Sequence, residues 1–149
     1  MTSQLEKTGA FAPAELYAQV QQFYSRQMGL LDDGIVDAWT DTFTDDAVFE
    51  DTAVPEPLYG KEAIRTSVTA RVEQIKAERL EFRHWFGMLN VETQPDGSVR
   101  TRYYALAIST PRGGKINVRG NVVGRDHLVP DGSGWLVRHR FVRLDGVED

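Results

Sequence analysis

Apolar residues recur along the first half of the chain at steps of three and four. Tyr17, Val20, Tyr24, Met28 and Leu31 fall on one face of a helix that opens near Ala12-Pro13 and ends near Asp32-Asp33-Gly34. Val36, Trp39 and Phe43 repeat the spacing over a short second helix, and Ile64, Val68, Val72 and Ile75 mark a third. Between the second and third lie a short strand over 47–51 and a segment over 52–60 whose prolines and closing glycine oppose regular structure. Beyond Lys76 the period becomes two. Turn signals around Pro95-Asp96-Gly97, Pro111 to Gly114 and Pro130 to Gly134 cut the remainder into four strands of an antiparallel meander. The expected fold class is α+β: a cone-shaped α+β barrel, its curved mixed or antiparallel sheet wrapped around three N-terminal helices. Residues 1–11 are polar and aperiodic, so a flexible arm is expected there, with 12–149 forming a single domain.

Strand alternation sorts side chains between the helix-facing side of the sheet and its outer side. Leu80, Phe82, His84, Phe86 and Met88 share the inner face of one strand; Ile116, Val118, Gly120, Val122, Gly124, Asp126 and Leu128 share that of another. In the short strand Asp51 follows Phe49 inward. Three titratable groups, Asp51, His84 and Asp126, are thereby expected to converge on one interior. Burying such groups without partners is costly, so they are either a satisfied structural set or a site.

Composition narrows the function classes. At 149 residues and 41% hydrophobic content the chain closes one core. Its 22 acidic against 17 basic residues give a net charge of −5 with no basic stripe, which argues against nucleic acid as a partner. The absence of cysteine removes disulfides, thiolate metal sites and a cysteine nucleophile. His84, His127 and His139 lack paired metal-ligand spacing, Gly113-Gly114 opens no phosphate-binding helix, and neither Ser25 nor Ser67 stands in a nucleophile elbow. No metal or cofactor is expected. Met1 to Phe11 holds no apolar run of signal-peptide length, and no later stretch approaches the roughly 20 apolar residues of a membrane span, so a cytoplasmic protein without membrane contact is expected.

The stretch Asp45-Asp46-Ala47-Val48-Phe49-Glu50-Asp51, followed by Pro55-Glu56-Pro57-Leu58-Tyr59-Gly60-Lys61-Glu62-Ala63-Ile64, resembles the corresponding segment of the ketosteroid isomerases, and Asp126-His127-Leu128 resembles their oxyanion-hole strand. Arg83-His84-Trp85-Phe86-Gly87, and Asp32 at the end of the first helix, resemble segments of scytalone dehydratase and the SnoaL-like polyketide cyclases. All share the nuclear-transport-factor-2-like cone, and the resemblance runs from about Glu15 to Leu144. It implies a base at Asp51, a protonated aspartic acid at Asp126, and functional roles for His84 and Asp32. Gln27 stands where the isomerases have a tyrosine, with Tyr24 one turn earlier, and Thr110 stands near the place of the dehydratase's second histidine.

These readings combine into an acid-base enzyme without a cofactor, acting on a polyketide-like small molecule through an enolate, with Asp51, His84, Asp126 and Asp32 catalytic. Cyclisation, dehydration and isomerisation all stay open, as does epoxide opening by an Asp-assisted water. Tyr24, Phe49, Phe82, Phe86, Tyr104 and Asn121 are the expected substrate contacts. The competing expectation is a non-catalytic pocket or structural subunit, like the small subunit of ring-hydroxylating dioxygenases. The outer sheet face, bearing Arg100, Arg102, Asn117, Arg119, Asn121, Arg125 and Arg138, is the expected partner surface, most simply for a homodimer.

Overall fold

The computed structural model describes residues 11–148, so all of the expected N-terminal arm but Phe11 lies outside the described residues. Two helices, α1 (Ala14–Asp32) and α2 (Val36–Thr40), precede β1 (Phe43–Asp51) and β2 (Leu58–Tyr59). Then follow α3 (Lys61–Ala77) and the meander β3 (Leu80–Thr93), β4 (Val99–Pro111), β5 (Asn117–Asp131) and β6 (Gly134–Leu144). The six strands form one curved, unclosed sheet in the order β2-β1-β6-β5-β4-β3, antiparallel throughout except for the parallel pair β1–β6.

Helix α1 stops because Gly34 adopts a φ of +74°, a conformation that glycine alone reaches without strain. Its N–H reaches Leu31 O, and Ile35 N–H reaches Leu30 O, which together satisfy the last carbonyls of the helix. Asp32 is thereby fixed at the C-terminal end of α1. A carboxylate there opposes the helix dipole, an unfavourable placement of about 0.3–1 kcal/mol that local structure does not explain.

The helix stripe buries Val20, Tyr24, Gln27 and Met28 against the sheet, while Tyr17 is half exposed and donates from its hydroxyl to Leu89 O. The row Phe43, Val137, Leu128 and Val99, matched strand by strand, is fully buried and closes one end of the cone. Toward the other end the inward residues Phe86, Val122, Gly120 and His84 are only half-buried, so the interior opens there.

Phe43, expected on the second helix, opens β1 instead, because α2 ends at Thr40. Strand β1 therefore starts four residues before the expected Ala47, and the segment expected to be irregular contributes the two-residue β2, paired with Val48 and Phe49. Met88, Ile116 and Val118 do not face inward: Met88 is 76% exposed and has a positive φ within a bulge between Gly87 and Asn90. A bulge inserts one residue into a strand and reverses the parity beyond it. Two more bulges set Arg119 and Arg138 out of register, and strict alternation cannot foresee what each does.

Candidate active site

Asp32 and His84 meet where the end of α1 crosses β3. One carboxylate oxygen, Oδ2, accepts the backbone N–H of His84 at 3.0 Å, and the other, Oδ1, lies 2.6 Å from His84 Nδ1. A carboxylate facing Nδ1 selects the tautomer protonated there, which leaves the Nε2 lone pair free. Among the described residues nothing bonds to Nε2. The His84 side chain is 26% exposed and that of Asp32 11%, a pair sheltered by protein yet open to a ligand. The imidazole packs on the Phe82 ring, 5.2 Å between centroids.

Asp126 is built into the closed part of the cone. Its side chain is 0% exposed and that of its cross-strand partner Arg140 4%. Arg140 donates from Nη2 to Asp126 Oδ2 at 2.9 Å and from Nε to Oδ1 at 3.1 Å. The Tyr24 and Tyr103 hydroxyls donate to the same carboxylate at 2.7 Å and 3.1 Å. Tyr24 has one proton to give, so Thr101, 2.6 Å away, donates to it. Gln27 accepts from Arg140 Nη2 at 2.6 Å and donates to Thr42 at 2.7 Å. Burial and the neighbouring Asp126 carboxylate push the Tyr24 phenol well above its ordinary pKa, and burial does the same to Tyr103. Burial alone would lower the pKa of Arg140, but Asp126, Tyr103 and Tyr24 together more than offset it and hold the guanidinium charged.

Gly124 makes this arrangement possible. It sits opposite Tyr103 across β4 and β5, and a methyl group on it would overlap the Tyr103 ring. Tyr103 stacks on Phe86 at 4.2 Å, and Tyr24 packs against both rings.

The three groups expected to converge are thus held apart. Among the described residues, none of Asp51, His84 and Asp126 bonds to either of the others. Asp51 lies at the end of β1, four strands from His84, and its Oδ1 accepts the Ala53 N–H at 2.8 Å. Asp126 meets only donors, so the hydrogen-bond-donating role expected of it does not fit its surroundings. Tyr24, expected to contact substrate, has its hydroxyl committed to Asp126 and Thr101. Tyr104 and Asn121 lie on the outer face, because their neighbours Tyr103 and Val122 point inward; Tyr104 instead covers Arg102, its ring 5.0 Å from the guanidinium carbon. Phe49, Phe82 and Phe86 do face the interior. Sequence reasoning gave Arg140 no role, although Gln27, the residue standing where a tyrosine was expected, is its partner.

Among the described residues no group of three or more potential metal ligands is clustered, and no helix is long and apolar enough to cross a membrane.

Comparison with known proteins assigns residues 12–141 to a SnoaL-like domain. The structure is similar to that of Aln2 from a Streptomyces species, at 34% identity over 91% of this chain and 95% of that one, with a TM-score of 0.84. ActVI-ORFA from Streptomyces coelicolor matches at 27% identity over 92% of this chain and 100% of the other, with a TM-score of 0.83. A Catenulispora acidiphila protein in complex with S-DNPA matches at 35% identity over 89% and 96% of the two chains, with a TM-score of 0.77. The beta subunit of a putative aromatic-ring-hydroxylating dioxygenase from Novosphingobium aromaticivorans shares the fold at 16% identity, over 91% and 94% of the two chains, with a TM-score of 0.71. No curated protein matches the sequence.

Proposed function

The chain belongs to the SnoaL-like domain family, and from that premise we propose that it is an acid-base enzyme acting on a polyketide-like small molecule through an enolate. The Asp32–His84 pair carries the reading. Among the described residues it is the one carboxylate–imidazole contact on the inner face, and it joins a helix end to a strand at a placement that the helix dipole opposes. That a relative has been solved in complex with S-DNPA supports a ligand-binding role for this chain.

His84 acts as the base. Nε2 takes a proton from a carbon beside a carbonyl, the C–H electron pair becomes the enolate double bond, and Asp32 balances the imidazolium. The same proton is then returned to another carbon, to a departing hydroxyl, or to the oxygen of a second carbonyl that the enolate carbon has attacked. These are isomerisation, dehydration and aldol closure. Asp51, four strands from the dyad with its Oδ1 held by the Ala53 N–H, takes no part in this proton's path, and Asp126 and Arg140 hold the floor.

Acceleration of hydrogen–deuterium exchange at the acidic carbon of 2-tetralone, followed by NMR, tests this without the natural substrate. The wild-type chain is expected to accelerate exchange, His84→Ala to lose about 10²–10⁴-fold of that rate, and Asp51→Asn to keep most of it. Exchange unchanged by His84→Ala would overturn the reading.

The saturation of Asp126 is what a non-catalytic subunit would also display, and the likeness to the dioxygenase beta subunit is one of fold. That reading expects no exchange and copurification with a larger partner. Either way the outer sheet face, where Trp85 stands opposite Leu106 and both are exposed, is suited to pairing two copies.

A further inference from the structure

We propose that Arg119 and Arg71 anchor a carboxylate of the substrate at the rim of the dyad pocket. Alternation along β5 assigns Arg119 to the outer face, but it is the extra residue in the bulge opposite Ala107 and Ile108, and this turns its side chain over. Its Nε donates at 2.8 Å to the hydroxyl of Ser109, a fully buried residue on the inner face of β4. Ser109 pairs directly with Phe82, two residues from His84 on the same face of β3. From the other side α3 brings Arg71 over Phe82, its guanidinium carbon 5.7 Å from the ring centroid. One guanidinium thus lies over the ring on which the catalytic imidazole packs, and a second is bonded to the residue paired with that ring across the sheet.

Neither is used up by the fold. Arg65, Arg138 and Arg140 pair with carboxylates, whereas Arg71 and Arg119 form no ion pair with any described residue. Other arginines also lack an ion pair among the described residues; what sets Arg71 and Arg119 apart is that one lies over Phe82 and the other bonds to Ser109, the strand partner of Phe82. With Nε held by Ser109, the Arg119 terminal nitrogens stay available, and a guanidinium so oriented suits the planar geometry of a carboxylate. The ligand class that follows is an aromatic or conjugated acid, its ring toward Phe82 and Phe86 and its carboxylate at the rim. An anchor of this kind sets which carbon lies beside Nε2, and so which proton is removed.

The inference rests on the acid-base reading of the dyad pocket, and the test separates the two. Binding of 2-naphthoic acid and of its neutral counterpart 2-naphthamide is measured by calorimetry at neutral pH, with the His84 imidazole NMR signal reporting that each occupies the pocket. The wild-type chain is expected to bind the acid at least about tenfold more tightly than the amide, the worth of a charge-assisted hydrogen bond. Arg119→Gln is expected to remove most of that preference while leaving amide affinity unchanged, Arg71→Gln to remove part of it, and added salt to weaken the acid alone. Equal affinities in the wild-type chain, or a preference that survives in the Arg119→Gln, Arg71→Gln double variant, would overturn the anchor and leave the pocket standing. Binding of neither probe, or no response at His84, would overturn the pocket reading and the anchor with it.

Discussion

Asp32 grips His84 at two points, its Oδ2 accepting the backbone N–H at 3.0 Å while its Oδ1 meets Nδ1 at 2.6 Å. The backbone contact fixes the strand to the helix end, and the ring contact fixes the imidazole on that strand. An amide cannot do both with the same charge. Asp32→Asn is therefore expected to slow 2-tetralone exchange by between about 10-fold and 10⁴-fold. Nitrogen-15 NMR of the wild-type imidazole should show the Nδ1–H tautomer, and the variant should show a mixture or the other form. A wild-type ring protonated on Nε2 alone would remove the base from the mechanism.

The pair Asp126–Arg140 calls for a different outcome. Removing one partner of a buried ion pair leaves the other charge uncompensated, at about 3–5 kcal/mol. Arg140→Met and Asp126→Asn should each lower the urea midpoint accordingly, while the exchange rate per folded molecule stays within a few-fold of the wild type. A stable Asp126→Asn protein that had lost exchange would instead return Asp126 to the chemistry.

Much of this was legible in the residues, and the limit has one recurring cause. The stripe from Val20 to Met28 and the period-two strands specify α1 and the meander, because burial of one face leaves a repeat that any reader can count. Asp32 and His84 were each singled out, though nothing in sequence separation of this length says that they touch. Bulges are what counting cannot find. Continued from Val137, alternation sends Arg140 outward, yet the extra residue Arg138 turns it into the core, where it meets Asp126. The same device exposes Met88 and lets the exposed Arg119 reach Ser109 on the inner face with its Nε. Alternation shows only the apolar neighbours of Asp126 on its own strand, because the polar residues around it, Tyr24, Thr101, Tyr103 and Arg140, arrive from three other elements.

The outer face carries its own expectation. Trp85 and Leu106 stand directly opposite one another, exposed, on neighbouring strands. If two copies pair through this face, sedimentation should give twice the chain mass, and Leu106→Glu should shift it to the monomer by burying a charge at the interface. A wild-type monomer at micromolar concentration would remove the dimer.

The two buried phenols give the protein a defined alkaline limit. Burial, with Asp126 adding to it for Tyr24, raises both pKa values above the ordinary value of about 10 that they regain on unfolding. Below that pH both the folded and the unfolded chain keep these protons, so the stability that the phenols contribute is fully present. Above it the unfolded chain releases protons that the folded chain retains, so stability falls as pH rises and keeps falling until the folded-state pKa values are passed. The urea midpoint should thus decline above about pH 10, and the Tyr24→Phe, Tyr103→Phe double variant should show a shallower decline. Two of the chain's five tyrosines should yield phenolate absorbance only together with loss of the native circular dichroism. All five ionising while the native spectrum persists would mean that the floor of the cone admits water, and that Tyr24 and Tyr103 are not held as donors to Asp126.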